Sequence, residues 1–365
     1  MAVEKRIGGF AIAINLALSI LAVPAGAQEP AGNLKIGFIY LTPAKDAGWT
    51  QAHERGRQAL ATIPGVETDY VDSISEEGYG AYAEMAIKHL VDSGHNVIFA
   101  TSFGYIEAVR RVSPSYPNVI FMHCSGDWRS KNVGTYFGKI YQSRYLTGLV
   151  AGAMTRSNIV GYVAAYPIPE VIRGINAFTI GVREANPNAR VHVRWVKSWH
   201  NPEKEKDLAN ELVDLKADVL AQHLDSPAVQ ITAEKRGVYG IGYNRDMSQF
   251  APKASLTAAV WNWAPLYQHI ASQIQEGKWK SEAIWWGMEK GVVDIAPPGP
   301  QVPKATKALV EKRKREIAAG SRHVFAGPLK DQKGTLRLAK GVTATDEELW
   351  IINWFVDGVV GSTNP

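Results

Sequence analysis

Residues 158–187 read NIVGYVAAYPIPEVIRGINAFTIGVREANP. Asn158 to Tyr166 is dominated by β-branched, small and aromatic residues, the composition of a strand covered on both faces. Pro167-Ile168-Pro169 breaks that run. Apolar residues then recur at helical spacing from Glu170 to Glu184, and Asn186-Pro187 ends the helix. One strand followed at once by one amphipathic helix is half of a βαβ unit, so the neighbours decide whether the unit repeats.

It repeats in both directions. Downstream come the strand RVHVRWVKSW (190–199) and a helix opened by Asn201-Pro202 as N-cap and first turn. The runs DVLAQHLD (218–225), VYGIGYN (238–244) and ASLTAAVW (254–261) follow. Upstream, LKIGFIYL (34–41) leads to a helix from Thr50 to Ile63, with Ala52, Gly56, Leu60 and Ile63 on one face. ETDYVDSI (67–74) leads to a helix from Ala81 to Asp92 with Tyr82, Met85, Ala86, His89 and Leu90 on one side. NVIFATS (96–102) and NVIFMHCS (118–125) complete this first set. Such alternation means mostly parallel sheets joined by right-handed crossovers. Two sets of similar size predict an α/β chain with two Rossmann-like lobes.

The first 27 residues read as a signal peptide. Lys5-Arg6 is the basic region, Ile7 to Val23 the apolar one, and Ala25-Gly26-Ala27 the cleavage site. No later stretch has the roughly 20 apolar residues of a transmembrane helix. Cys124 is the only cysteine, so no internal disulfide can form and no lipid-anchoring cysteine follows the leader. The expected product is exported to a Gram-negative periplasm without an anchor. A net charge of +5 with no basic, aromatic-interleaved stripe argues against nucleic acid as partner. The cluster Lys312-Arg313-Lys314-Arg315 reads as a solvated helix face, and the tail opens with a capping pattern at Thr345.

Open parallel sheets bind ligands beyond the carboxyl ends of their strands. There the sequence places Asp46, Gly48, Trp49 and Thr50; Ser102 to Tyr105; Tyr166 and Pro167; Trp199 and His200; His223, Asp225 and Ser226; Tyr243 to Asp246; and Trp261 to Trp263. Aromatic rings stack on flat ligands, and adjacent polar groups fix orientation. From this set the candidate ligand-binding residues are Asp46, Trp49, Thr50, Phe103, Trp199, His223, Asp225, Asn244, Asp246 and Trp261. No dinucleotide fingerprint, Walker loop, H-E-x-x-H or G-x-S-x-G is present. His223 and Asp225 could form an acid–base pair in a secreted nucleoside-processing enzyme, but with no third ligand beside them no metal is expected, and no cofactor. A ligand-binding protein is the favoured reading.

The segments KIGFIYLTPAKDAGWTQAHERGR, ATSFGYIEA, YLTGLVAGAM, VGYVAAYPIPEVIRGINAFTIGVREANP, GIGYNRDM and VFAGPLKD occur in this order. The chain thereby resembles the basic membrane protein (BMP) family, solute-binding proteins of the purine-nucleoside-receptor type that feed ABC importers. The resemblance implies a periplasmic binding protein type I fold, with a three-segment hinge and the ligand in the interlobe cleft. It implies a monomer that delivers its solute to an inner-membrane permease. Lobe 1 would comprise 33–139 plus 265–290, and lobe 2 140–264 plus 291–365. Asp46 stands at the family's leading Asp, Trp49 where Phe is usual, and Thr50 where Asn is frequent. Phe103 falls in the segment forming one wall of the base slot.

Two departures concern the sugar. Nucleoside-binding members carry G-V-D-x-D, whose first Asp grips ribose. Here the segment is Gly242-Tyr243-Asn244-Arg245-Asp246, and Trp261 replaces a ribose-binding Lys. Losing a carboxylate and an ammonium implies a purine nucleobase, adenine or hypoxanthine, as ligand. A nucleoside or another small polar solute is the alternative.

Overall fold

The structure, a computed structural model, describes Met1 and residues 33–45 and 47–365. Asp46 and, Met1 aside, the expected leader 1–27 lie outside the described residues. The chain first lays down β1 (Leu34–Ile39), α1 (Trp49–Leu60), β2 (Val66–Val71), α2 (Ala81–Asp92), β3 (Val97–Ala100), α3 (Ile106–Val112), β4 (Ile120–Cys124) and β5 (Val133–Gly138). Next come α4 (Tyr141–Met154), β6 (Ile159–Ala164), α5 (Pro169–Ala185), β7 (Arg190–Trp195) and α6 (Pro202–Asp214). β8 (Val219–His223), α7 (Ala228–Arg236), β9 (Tyr239–Asn244), β10 (Ser255–Trp261) and α8 (Ala264–Gln275) follow. The last part holds β11 (Ala283–Trp286), β12 (Val293–Ile295), α9 (Lys304–Ala318), the hairpin β13 (Leu329–Lys330) and β14 (Leu336–Leu338), α10 (Asp346–Trp350) and β15 (Val359–Val360).

Apart from the separate β13–β14 hairpin, these strands form two sheets. One has the order β11-β5-β4-β3-β1-β2, with every pair parallel. The other runs β12-β10-β9-β8-β6-β7-β15, parallel except that β12 lies antiparallel to β10. Central strands such as β3 (VIFA) and β8 (VLAQH) are buried at every position, as helices on both faces require. Among the described residues the chain passes between the sheets three times: from β5 into α4, which packs on α5; from β10 into α8, which packs on α1; and from β11 to β12.

The YLTGLVAGAM segment is α4, buried from Tyr141 to Gly152. Its glycines let two helices touch backbone to backbone. A Cβ at Gly148 would stand 2.1 Å from the Phe178 carbonyl oxygen of α5, and one at Gly152 2.2 Å from that of Val182. The Asn201 cap is present, its side chain accepting from Lys204 N at 3.1 Å, and Thr345 and Glu348 form a reciprocal capping box.

The expected face of α2 is rotated. Ala83, Ala86, Ile87 and Leu90 face the core, whereas Tyr82, Met85 and His89 are exposed. Small side chains let α2 lie close to β1 and α3, so the bulky residues turn outward. The cluster at 312–315 is a paired face rather than a freely solvated one: Arg313 contacts Glu184 and Glu316, and Lys314 contacts Asp294.

Candidate functional site

The carboxyl ends of the two sheets face each other, and their loops enclose a cleft with about 350 Å³ of empty space, part of it open to solvent. From the six-stranded side come Leu41 after β1, Trp49 at the start of α1, Ser102 and Phe103 after β3, and Ser125 after β4. From the seven-stranded side come Glu170 in the first turn of α5, Trp199 after β7, His223 and Asp225 at the end of β8, and Tyr243 in β9.

Trp49 is anchored by its own polar edge, Nε1–H donating to the Thr101 carbonyl at 2.7 Å. Its ring meets Trp261 edge-on at 5.5 Å and His53 at 4.4 Å. Phe103 is 44% exposed, so its ring remains available to a ligand. Across the cleft Trp199 packs edge-on against Tyr166 at 5.3 Å, and Tyr243 lies 4.4 Å from the His223 ring. Both walls are therefore aromatic.

Of the sequence candidates, Trp49, Phe103, Trp199, His223 and Asp225 come together on this lining. Asn244 and Trp261 stand one layer behind. Asn244 has a left-handed backbone (φ 69°), which an Asn tolerates, and this turns its amide sideways. Nδ2–H donates to Asp225 Oδ1 at 2.9 Å, and Oδ1 accepts the Trp261 Nε1–H at 3.1 Å. The Trp261 ring stacks on Trp263 at 4.6 Å and 14°. Thr50 is buried away from the cleft, its hydroxyl accepting from Thr42 Oγ1 at 2.7 Å, which ties down the loop after β1. Asp246 is exposed and accepts from Ser248 N in a turn.

Leu41, Ser125 and Glu170 were outside the sequence-derived set, and Ser102 and Tyr243 were in it without being singled out. Ser125 directly follows β4, so the strand-end rule reaches it. Glu170 lies six residues beyond β6 on a helix, where an acidic residue also reads as ordinary first-turn chemistry.

Contacts bridge the two sides. Ser125 Oγ donates to Glu170 Oε2 at 2.8 Å, and Arg245 Nη1 donates to Gln51. The backbone at Gly48 presses on Asp225: a Cβ there would stand 2.2 Å from the Asp225 carbonyl oxygen. The two sides are thus closed onto each other at the cleft mouth.

The electrostatics are set by burial. His223 is 1% exposed, and its pKa is lowered from 6.5 to about 4 by burial first and the Arg144 cation second, with Glu170 opposing. Between pH 6.5 and 4 the unfolded chain therefore holds more protons than the folded one, and stability falls as pH falls through that window. The shift at His223 corresponds to about 3 kcal/mol. Urea unfolding at pH 7 and pH 4 is expected to show this loss, and His223→Gln to remove that share of it. Arg144 is fully buried, 3.8 Å over the Tyr243 ring, with Nη1 donating to the Gln222 carbonyl. Among the described residues no group of three His, Cys, Asp or Glu side chains could hold a metal. No helix among them is long and apolar enough to cross a membrane.

Residues 33–322 match the family model described as ABC transporter substrate-binding protein, PnrA-like (Bmp). The chain is 40% identical to a purine-binding protein of Brucella abortus (strain 2308), over 92% of this chain and 95% of that one. It is 36% identical to a putative ABC transporter glucose-binding protein of Haloferax volcanii, over 83% and 76%. Among solved structures, an ABC transporter solute-binding protein from Conexibacter woesei superimposes with a TM-score of 0.67 at 21% identity, covering 80% of this chain and 98% of that one. The fold is that of type I periplasmic binding proteins, two α/β lobes around a cleft.

Proposed function

The chain belongs to the family of PnrA-like ABC transporter substrate-binding proteins, a class that binds a small molecule without transforming it, and from that premise we propose that it carries a purine nucleobase, adenine or hypoxanthine, rather than a nucleoside. Family members hold their ligand outside the cytoplasmic membrane and deliver it to a permease. Here the delivery runs through a Gram-negative periplasm, by a monomer whose leader is removed after Ala27. The lobes comprise 33–139 plus 265–290 and 140–264 plus 291–365, and close by a hinge motion around the three crossings.

The supporting observation is the closed circuit Trp261–Asn244–Asp225. At the two positions where the resembling nucleoside binders place a carboxylate and an ammonium toward ribose, this chain has an amide and an indole. These bond to each other at 3.1 Å instead of presenting polar heads to the cleft. What remains is a slot between Trp49 and Phe103 on one side and Trp199 and Tyr243 on the other, suited to a flat ring. The Brucella relative's description as purine-binding agrees with this reading. The Haloferax relative's description favours a sugar, and indoles also stack on sugars.

Calorimetric titration of refolded, ligand-free protein with adenine, hypoxanthine, adenosine and glucose separates these readings. Adenine or hypoxanthine is expected to bind at least tenfold more tightly than adenosine, a gap of about 1.4 kcal/mol. Preference for adenosine would refute the nucleobase reading, and preference for glucose the purine one.

A further inference from the structure

Two cleft-lining groups have polar atoms that the aromatic slot leaves unassigned. Glu170 is only 11% exposed in its side chain. Its Oε2 accepts from Ser125 on the opposite lobe, and its Oε1 lies 3.7 Å from His223 Nε2. His223 is buried, yet neither ring nitrogen has a hydrogen-bond partner among the described residues. Leaving a buried polar group unmatched costs about 1–3 kcal/mol, so a ring with two such atoms on a cleft wall calls for a partner.

The surroundings of the ring favour one tautomer. On the Nδ1 side lie Gly174 and the stem of Arg144: the position of a Cβ on Gly174 is 3.5 Å from Nδ1 and 3.8 Å from Arg144 Cγ. On the Nε2 side lies the Glu170 carboxylate. A carboxylate attracts a proton, so the neutral imidazole keeps its hydrogen on Nε2, beside Glu170. The wall then shows a donor beside an acceptor.

We propose that His223 and Glu170 together read one edge of the ligand, His223 Nε2–H donating to a ring acceptor and Glu170 Oε1 accepting the adjacent N–H. This deepens the purine reading and rests on it. A heterocycle with an acceptor next to an N–H fits, as adenine does on its amino-bearing edges and on the N3/N9–H edge that a nucleoside lacks. Ser125 acts on Glu170 as a positioning residue, fixing Oε2 when the lobes close so that Oε1 faces the ligand.

The test is a matrix of calorimetric affinities for adenine, purine (no amino group) and 9-methyladenine (no N9–H) against the wild type, Glu170→Gln and Ser125→Ala. In the wild type one of the two analogues is expected to bind about 10- to 100-fold more weakly than adenine, the worth of a charge-assisted hydrogen bond. Glu170→Gln replaces one acceptor oxygen by a donor, and that ratio is expected to fall to within about threefold. Ser125→Ala should weaken all three ligands by a common factor and leave the ratios intact. Because ratios are the readout, a partly unfolded variant cannot imitate the result. A Glu170→Gln protein that keeps the wild-type ratio overturns the assignment while leaving the purine reading standing. A wild type that binds none of the three removes the purine reading itself.

Discussion

A Gly48→Ala protein should fold as well as the wild type and bind its ligand about 10- to 100-fold more weakly. The added methyl would sit 2.2 Å from the carbonyl oxygen of Asp225, a distance no carbon atom tolerates. The obstacle is on the other lobe, across the cleft mouth. The cost therefore falls on the closed state and not on either lobe. Overpacking of this kind costs about 1–3 kcal/mol, which converts to the stated loss if closure accompanies binding. Calorimetry gives the affinity, and small-angle scattering with and without ligand gives the compaction. Wild-type affinity in Gly48→Ala would mean that ligand is held without this contact.

The second large effect concerns Trp261 and Asn244, which should behave as one unit. Trp261→Lys alone places an ammonium at a site 7% exposed, between Trp49 and Trp263, and removes a stacked ring. The expected cost is about 3–5 kcal/mol of folding stability, from the lost ring and an unpaired buried charge. Asn244→Asp alone puts a second carboxylate at the 2.9 Å contact with Asp225. The double variant supplies each new charge with its opposite, so its loss should be smaller than the sum of the single losses by about 1–3 kcal/mol. Urea unfolding of the three proteins measures that coupling. The same double variant should shift preference from adenine toward adenosine, because it puts in place the Asp and Lys that the family resemblance assigns to ribose. If adenosine gains nothing on adenine in the double variant, the argument from the missing ribose clamp is wrong.

The sequence was most informative where its chemistry is local. Alternating β-rich runs and amphipathic stretches gave both sheets, because a parallel strand buried on two faces has to be apolar throughout. The Asn201 and Thr345 caps were legible for the same reason, each being a side chain serving backbone groups three residues away. The face of α2 was not, since the packing of Ala83 and Ala86 depends on how closely another element approaches, and hydrophobicity alone favours Tyr82 and Met85. In the cleft, strand-end position located Trp49, Phe103, Trp199, His223 and Asp225 on one lining. It could not say that Asn244 adopts a positive φ and turns its amide along the wall. Nor could it reach Glu170, whose place depends on the first turn of α5 coming within reach of His223 at the end of β8 and Ser125 after β4.

The stacked rings of Trp261 and Trp263 span the point where the chain leaves the seven-stranded sheet for α8, and the His53 ring of α1 continues the column 4.6 Å beyond Trp263. The column thus begins on one lobe and ends on the other. Two near-parallel indoles this close share their ultraviolet transitions, and the resulting circular-dichroism couplet depends steeply on their separation and angle. A hinge rotation at this crossing would change both, so the couplet is expected to shift when ligand closes the cleft, and circular dichroism with and without adenine checks it.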